Sequence, residues 1–265
     1  MTATGLGPGA IAGLADVLEA CARNACATLP LTDAEPDMTL EDAYAIQAEL
    51  VRRQQARGAR IVGLTAGQTS HAKMRQMQVD SPVFGVLMAE GCVADGATVS
   101  MSGLIHPRAE PEICFVLRST LAGPGCHIGA VLAATDFVLP GIEVIDSRYR
   151  GFDFDARSLV ADNTSAARFT VGGQGRRPDQ VDLRTVGIVL EKNGEPAGLG
   201  AGAAVLGHPA AAVAMLANHL GRRGQVIPAG TMIMSGAITE AIPVRAGDHV
   251  RLRVQAMGSV SLRFA

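Results

Sequence analysis

Residues 105–117 read IHPRAEPEICFVL, and residues 137–145 read FVLPGIEVI. The first stretch carries two acids, Glu110 and Glu112, immediately before an apolar run; the second holds a third acid, Glu143, inside one. Side chains at i and i+2 of an extended chain point to the same face, so Glu110 and Glu112 can converge on one cation. Pro111 between them has no N–H to give a sheet ladder, which predicts an edge strand or a bulge at that point. Glu143 would be costly to bury unpaired and needs a cation, a metal or a proton. Three oxygen donors without a local Cys or His set point to a hard cation, Mg2+ or Mn2+, over Zn2+. The competing reading is a solvated strand end in which Glu110 and Glu112 pair with Arg108 and Arg118, and Glu143 with Arg148. An acid-x-acid pattern is weak by itself, and taken alone it favours that plainer reading.

Outward from this segment the chain keeps the same texture. ARIVGL (59–64), PVFGVLM (82–88), TVGIVLEKNG (185–194), TMIMSG (231–236) and HVRLRVQAMGSVSLRF (249–264) are short apolar runs broken by Gly, Pro and Asp, which reads as many short strands. Asn193-Gly194 accepts the positive φ of a type I′ turn and predicts a hairpin. Before residue 60 the pattern is helical. Ile11, Leu14, Leu18 and Cys21 recur at helical spacing between about Pro8 and Ala27. Thr39, followed by Glu41 and Asp42, caps a second helix that runs to about Gln55 and buries Ala43, Ile46 and Leu50. Two further helices are expected at about Gly129–Ala134 and His208–Leu220. The division expected is a helical N-terminal cap over residues 1–60 and a mostly β catalytic domain over 61–265.

Composition narrows the function. At 265 residues the chain can bury a real core without staples. Its charged fraction is 18% and its net charge −2, so no basic face for nucleic acid is implied. No apolar stretch reaches the roughly 18 residues of a spanning helix, so no membrane crossing is expected. The N-terminal residues MTATGLGPGAIAGLADVLEA lack a basic start and meet Asp16 and Glu19 early, which predicts no signal peptide and a cytoplasmic location. Five cysteines without a CxxC pair read as reduced, mostly buried thiols.

Taken together, SHAKMRQMQVDSPVFG (70–85), IHPRAEPEICFVL (105–117), ATDFVLPGIEVIDSRY (134–149), VADNTSAARF (160–169), VLGHPAAAVAMLANHL (205–220) and MSGAITEAIPVRAGDHV (234–250) stand in order and correctly spaced. With them the chain, from about residue 39 to its C-terminus, resembles the 2-oxopent-4-enoate hydratase / 4-oxalocrotonate decarboxylase family of the fumarylacetoacetate hydrolase superfamily. DSPVFG, EVIDSRY, ADNTS and SGAITEAIPV are closer in wording to the decarboxylase branch. The resemblance implies an α+β fold, a helical N-terminal cap on a mostly β fumarylacetoacetate hydrolase-like catalytic domain. It implies an Mg2+- or Mn2+-dependent carboxy-lyase that converts a 2-oxo-enedioate to a 2-hydroxydienoate and CO2. The alternatives are a hydratase, a relative repurposed for another 2-oxo acid, and a catalytically weak subunit that binds a partner enzyme.

By the same resemblance Glu110, Glu112 and Glu143 are the metal carboxylates, Asp80 is an active-site acid, and Ser165 and Ser235 lie in loops that line the substrate. For Asp80 and Ser165 a plain role is equally open: initiating the Ser81-Pro82 turn, and capping a helix. His106 and His208 read as structural. Relatives usually carry a lysine in a Lys-x-Gly-Leu-Thr-Ser stretch; counting back from Ala72-Lys73-Met74 puts Thr65 at its place. Lys73 could reach in instead, as could Arg60 in a shifted alignment, and Arg148 or Lys73 could answer the substrate's negative charge. The partners implied are a small-molecule 2-oxo acid, other copies of the chain in a homo-oligomer, and a pathway hydratase.

Overall fold

The computed structural model describes residues 5–265. Three helices open the chain: α1 (Pro8–Asn24), α2 (Leu31–Ala34) and α3 (Leu40–Ala56). Pro8 sits at the first helical position, where its missing N–H costs nothing. α1 ends short of the expected Ala27 because Ala25 turns left-handed (φ 48°) and its N–H returns to the Cys21 carbonyl. Thr39 and Asp42 form a capping box at the start of α3, each side chain accepting from the other residue's backbone N–H. Leu50 is only half-buried, and Val51 takes the place expected of it. Residues 1–4 of the expected cap lie outside the described residues.

The remaining elements follow in chain order. First come β1 (Ile61–Gly67), α4 (His71–Gln76), β2 (Val83–Met88), β3 (Thr98–Val99), β4 (Arg108–Leu117) and β5 (Leu121–Ala122). Next are α5 (Ile128–Ala134), β6 (Thr135–Ile145), α6 (Ala156–Ala161), β7 (Ala166–Val171), β8 (Gly187–Lys192) and β9 (Glu195–Ala201). The chain closes with α7 (Pro209–Gly221), β10 (Val226–Ile227), β11 (Met232–Met234), β12 (Ile242–Pro243), β13 (His249–Val254) and β14 (Gly258–Phe264). This is the expected α+β arrangement, helices first and mixed sheets after. Short α4 and α6 were not foreseen.

A seven-stranded sheet runs β2-β1-β11-β4-β6-β7 with β12 beside β4, and a five-stranded sheet runs β3-β14-β13-β8-β9. Both feed one core, in which Ile113, Phe115, Val138 and Ile142 of the first meet Leu190, Val250, Leu252 and Val260 of the second. A second core joins the N-terminal helices (Ala15, Leu18, Ala43, Ile46) to Val83, Tyr149, Leu159 and Val160. Residues 202–221 are apolar enough in composition for a membrane span, but the helix within them has 13 residues, about 20 Å against roughly 30 Å of bilayer core. Most of its residues are buried in the protein.

Pro111 is not at an edge, contrary to the expectation. β4 is central, with β6 on one side and β11 and β12 on the other. The Pro111 carbonyl accepts the Ile238 N–H at 2.9 Å. Its nitrogen faces the same way, into the gap between β11, which pairs with Cys114–Val116, and β12, which pairs with Arg108 and Ala109. No ladder bond is required in that gap, so a proline fits there. Burial of the cysteines also differs from expectation. All five are free, yet only Cys21 and Cys114 are buried, while Cys26 and Cys92 are exposed.

Candidate metal centre

The β4–β6 ladder sets Glu110 directly opposite Glu143, and Glu112, two residues on, shares their face. One oxygen from each carboxylate lies within 4.8 Å of the other two. Glu112 is 0% exposed and Glu143 3%. Burial pushes all three carboxyls above the ordinary range, Glu143 to about 7. Glu110 pushes Glu112 and Glu143 the same way, whereas Lys73 pulls Glu110 back. The Gly236 N–H donates to Glu112 Oε2 at 2.6 Å, and Thr65 Oγ1 donates to Glu143 Oε2 at 2.8 Å. Oε1 of Glu112 and Oε1 of Glu143 are buried with no donor. Acids so buried, crowded and short of donors fit a divalent cation, and an all-oxygen set fits a hard one.

The plainer reading of these acids fails on geometry. The Arg108 guanidinium lies 3.9 Å from the centre of the Phe152 ring, and Arg118 donates to the Ala133 carbonyl. Arg148 is committed to Asp162 through its Nε, to the Asp162 carbonyl at 2.6 Å and to the Asp146 carbonyl at 2.7 Å. Arg148 is therefore not a partner of the three glutamates. It borders instead a larger cavity of about 520 Å3 beside α1 and α3, which contains none of the three glutamates.

A cavity of about 60 Å3 opens on Glu110 and Glu143 and is lined by Thr65, Thr69, Lys73, Phe154, Thr164 and Ser165, among others. Lys73, on α4, brings its Nζ to 3.8 Å from Glu110 Oε1. Ser235 is wholly buried; its hydroxyl has no partner, and its N–H bonds the Ile113 carbonyl. Asp80 is exposed at the approach to β2 and does not line the cavity. His208 caps α7 through its Nδ1, and His106 packs against Phe152, as the structural reading of both expects.

Sequence reasoning missed the two backbone devices that shape the site. Gly236 has φ +100°, and a Cβ there would stand 2.1 Å from Thr69 Oγ1, so only glycine lets this N–H reach Glu112. Asn163, Thr164 and Ser165 are three consecutive left-handed residues, with φ 50°, 55° and 62°. Each costs about 1–2 kcal/mol and persists only where its surroundings hold it. Gly236 could have been singled out in SGAIT as a glycine beside an apolar strand end; nothing in ADNTS announces the left-handed run.

Comparison with known proteins places this geometry. The model of the fumarylacetoacetate (FAA) hydrolase C-terminal family matches residues 59–265. The chain is 58% identical over 234 residues to 4-oxalocrotonate decarboxylase of Pseudomonas sp. (strain CF600), covering 88% of this chain and 89% of that one. It is 43% identical over 244 residues to 2-hydroxyhexa-2,4-dienoate hydratase of Comamonas testosteroni, covering 91% and 92%. The solved structure of 4-oxalocrotonate decarboxylase from Pseudomonas putida G7, complexed with magnesium and adipate, superposes with a TM-score of 0.96 at 52% identity over 98% of this chain and 99% of that one. With residues 59–265 matched by the family model and the decarboxylase of Pseudomonas sp. (strain CF600) more similar to it than the Comamonas testosteroni hydratase, this chain belongs to the 2-oxopent-4-enoate hydratase / 4-oxalocrotonate decarboxylase group of the fumarylacetoacetate hydrolase family.

Proposed function

We propose that this protein is a divalent-metal-dependent carboxy-lyase that removes CO2 from a 2-oxo-enedioate of the 4-oxalocrotonate type and leaves a 2-hydroxydienoate. The observation that carries the reading is the meeting of Glu110, Glu112 and Glu143 at the base of a polar cavity, two of their buried oxygens without donors. These three carboxylates would hold Mg2+ or Mn2+, which when bound supplies Lewis-acid charge for the 2-oxo oxygen of the substrate. In the substrate the departing carboxylate is vinylogously β to the ketone. The bond to it breaks, its electron pair moves through the C3=C4 bond to the 2-oxo oxygen, CO2 leaves, and the oxygen takes up a proton.

The chain's own residues divide the remaining work. Lys73 offers an ammonium at the cavity for the dicarboxylate's charge, and Ser165 offers a hydroxyl. Ser235, whose buried hydroxyl has no partner, stands beside Gly236. Thr65 holds Glu143 and has no titratable proton to give, which fits decarboxylation better than addition of water, where a base and a proton donor are both needed. Asp80 and Arg148 have no assigned part in this step. We further propose residues 1–60 as a helical cap and 61–265 as the catalytic domain. Self-association and pairing with a hydratase that consumes the unstable dienol belong to the same reading. Five free cysteines fit a reducing, cytoplasmic setting.

The test is incubation with 2-oxohex-3-enedioate and Mg2+, following CO2 and the ultraviolet absorbance of the dienol. Metal-dependent CO2 release is expected. A hydrated product without CO2 would transfer the protein to the hydratases, and no turnover at all would leave the partner-subunit reading.

A further inference from the structure

Ser165 and Thr164 reach the cavity only because residues 163–165 hold a left-handed run, and the side chain of Asn163 is placed to hold it. The Val86 N–H donates to Asn163 Oδ1 at 2.8 Å, and Asn163 Nδ2 donates to the Val86 carbonyl at 2.9 Å. The amide thus pairs with both backbone groups of one residue of β2, as a neighbouring strand would. β2 leaves room for this contact. A Cβ at Gly85 would meet Thr164 Oγ1 at 2.4 Å and the Asn163 carbonyl at 3.0 Å. Gly85 is also the residue paired with Thr65 of β1, so the clamp lies beside the glutamate site. At the other end of the run, Ser165 Oγ and N–H both return to Asp162, at 3.3 and 2.9 Å, and the Ser165 carbonyl accepts the Asp146 N–H at 2.8 Å. Arg148 fixes Asp162 in turn.

We propose that Asn163 is a positioning residue for the substrate: its double bond to Val86 sets the left-handed run that presents Thr164 and Ser165 to the cavity. It touches neither the carboxylate cluster nor the cavity itself, so it acts through those two side chains. The inference rests on the proposed 2-oxo-enedioate site for its choice of ligand. It predicts that loosening the clamp weakens the organic ligand while leaving the metal in place.

The test uses adipate, a saturated six-carbon dicarboxylate that needs no turnover, titrated by calorimetry into the Mg2+-loaded protein. Mn2+ affinity is measured separately by electron paramagnetic resonance. Asn163→Ala is expected to weaken adipate about tenfold or more, with Mn2+ affinity within about twofold of wild type. Because the effect passes through Thr164 and Ser165, adding Asn163→Ala to a protein already carrying Thr164→Ala and Ser165→Ala should cost less than about threefold further. Adipate affinity within about threefold of wild type in folded Asn163→Ala, a parallel fall in Mn2+ affinity, or full additivity of Asn163→Ala on the background lacking both side chains each overturns the proposal. If Asn163→Ala does not fold, Asn163→Asp, which keeps the oxygen that Val86 donates to, carries the same measurements. Failure of both to fold makes Asn163 a determinant of the fold and also overturns it. A wild type that binds no adipate does so too. CO2 release by wild type tests the activity independently, so an inactive protein whose adipate affinity still depends on Asn163 would refute the lyase reading alone.

Discussion

Thr65, on β1, bonds Glu143 from outside the β4–β6 pair. It is 1% exposed, and its hydroxyl spends its proton on Glu143. Groups that orient a metal-binding carboxylate are commonly worth ten- to a hundredfold in metal affinity, so Thr65→Val should weaken Mn2+ binding by roughly tenfold. An unchanged Mn2+ affinity would show that the bond is incidental. Thr65→Lys would place an amine beside the cluster. If the lyase step needs no amine, CO2 release should change by less than about threefold while hydration appears or rises, because water addition is the step that wants a proton donor. Assaying both products side by side decides it, and rescue of an otherwise inactive protein by lysine would mean that native Thr65 marks a different substrate. At this scale the three glutamates were legible because a period of two puts i and i+2 on one face whatever the partner strand does. The commitments of Arg148 were not legible, because a charge in a sequence does not show its partner and Asp162 lies 14 residues further along the chain. Gly236 and the Asn163 clamp depend on backbone conformation and on distant β2, which no local pattern records.

Among the elements, the long amphipathic helices and the paired strands were readable, and the short ones were not. α4 and α6 have six residues each, less than two turns, too few to show a period of 3.6. Their capping residues, Ser70 and Asp155, are common in loops as well. The β8–β9 hairpin was legible from Asn193-Gly194, which have φ 55° and 89° with open space around Gly194. Gly194→Val should therefore lower stability by about 1–2 kcal/mol through backbone strain alone, with the kinetics of the surviving enzyme unchanged. Thermal melts and steady-state rates on one preparation check this, and a selective loss of turnover would contradict it. The contact of α7 with α3 and β2 adds a pH response. The ring centre of His219 lies 4.6 Å from that of Tyr44 and 5.0 Å from that of Phe84, and burial, reinforced by Arg223 and Arg222, pushes it down to about 4 from its ordinary 6.5. The folded state favours the neutral ring, so this contribution is full above about 6.5 and is lost as pH falls toward 4. His219→Phe keeps an aromatic ring there and should melt with a flatter pH dependence between 7 and 4 than wild type; identical slopes would assign the acid sensitivity elsewhere.

At the scale of the molecule, the family match begins at residue 59, while the packing does not respect that boundary. Tyr149 and Leu159, which come from the far side of the sheet sequence, are buried in the same cluster as Ala15, Leu18 and Ile46. The Gln47 amide, inside α3, donates to the carbonyls of Phe84 and Val160 at 2.9 and 3.0 Å, tying the cap to β2 and α6 at once. Phe154 and Leu159 border the cavity and Val160 directly precedes the turn into Asp162, so the cap supports the wall on which Ser165 is mounted. Removing residues 1–56 would uncover Val83, Tyr149, Leu159 and Val160. At about 1.5–3 kcal/mol for each large apolar side chain, that is a loss of about 6–12 kcal/mol, the size of a typical domain's whole stability of about 5–15 kcal/mol. A chain beginning at residue 57 is therefore expected to lack a cooperative thermal transition and to lose adipate binding, even though it keeps every residue of the carboxylate cluster. Calorimetric scans of the two chains under the same buffer and Mg2+ check the point. A truncated chain that melts cooperatively within about 10 °C of the full one would show instead that the sheets carry the site alone and that the helical cap is an appendage.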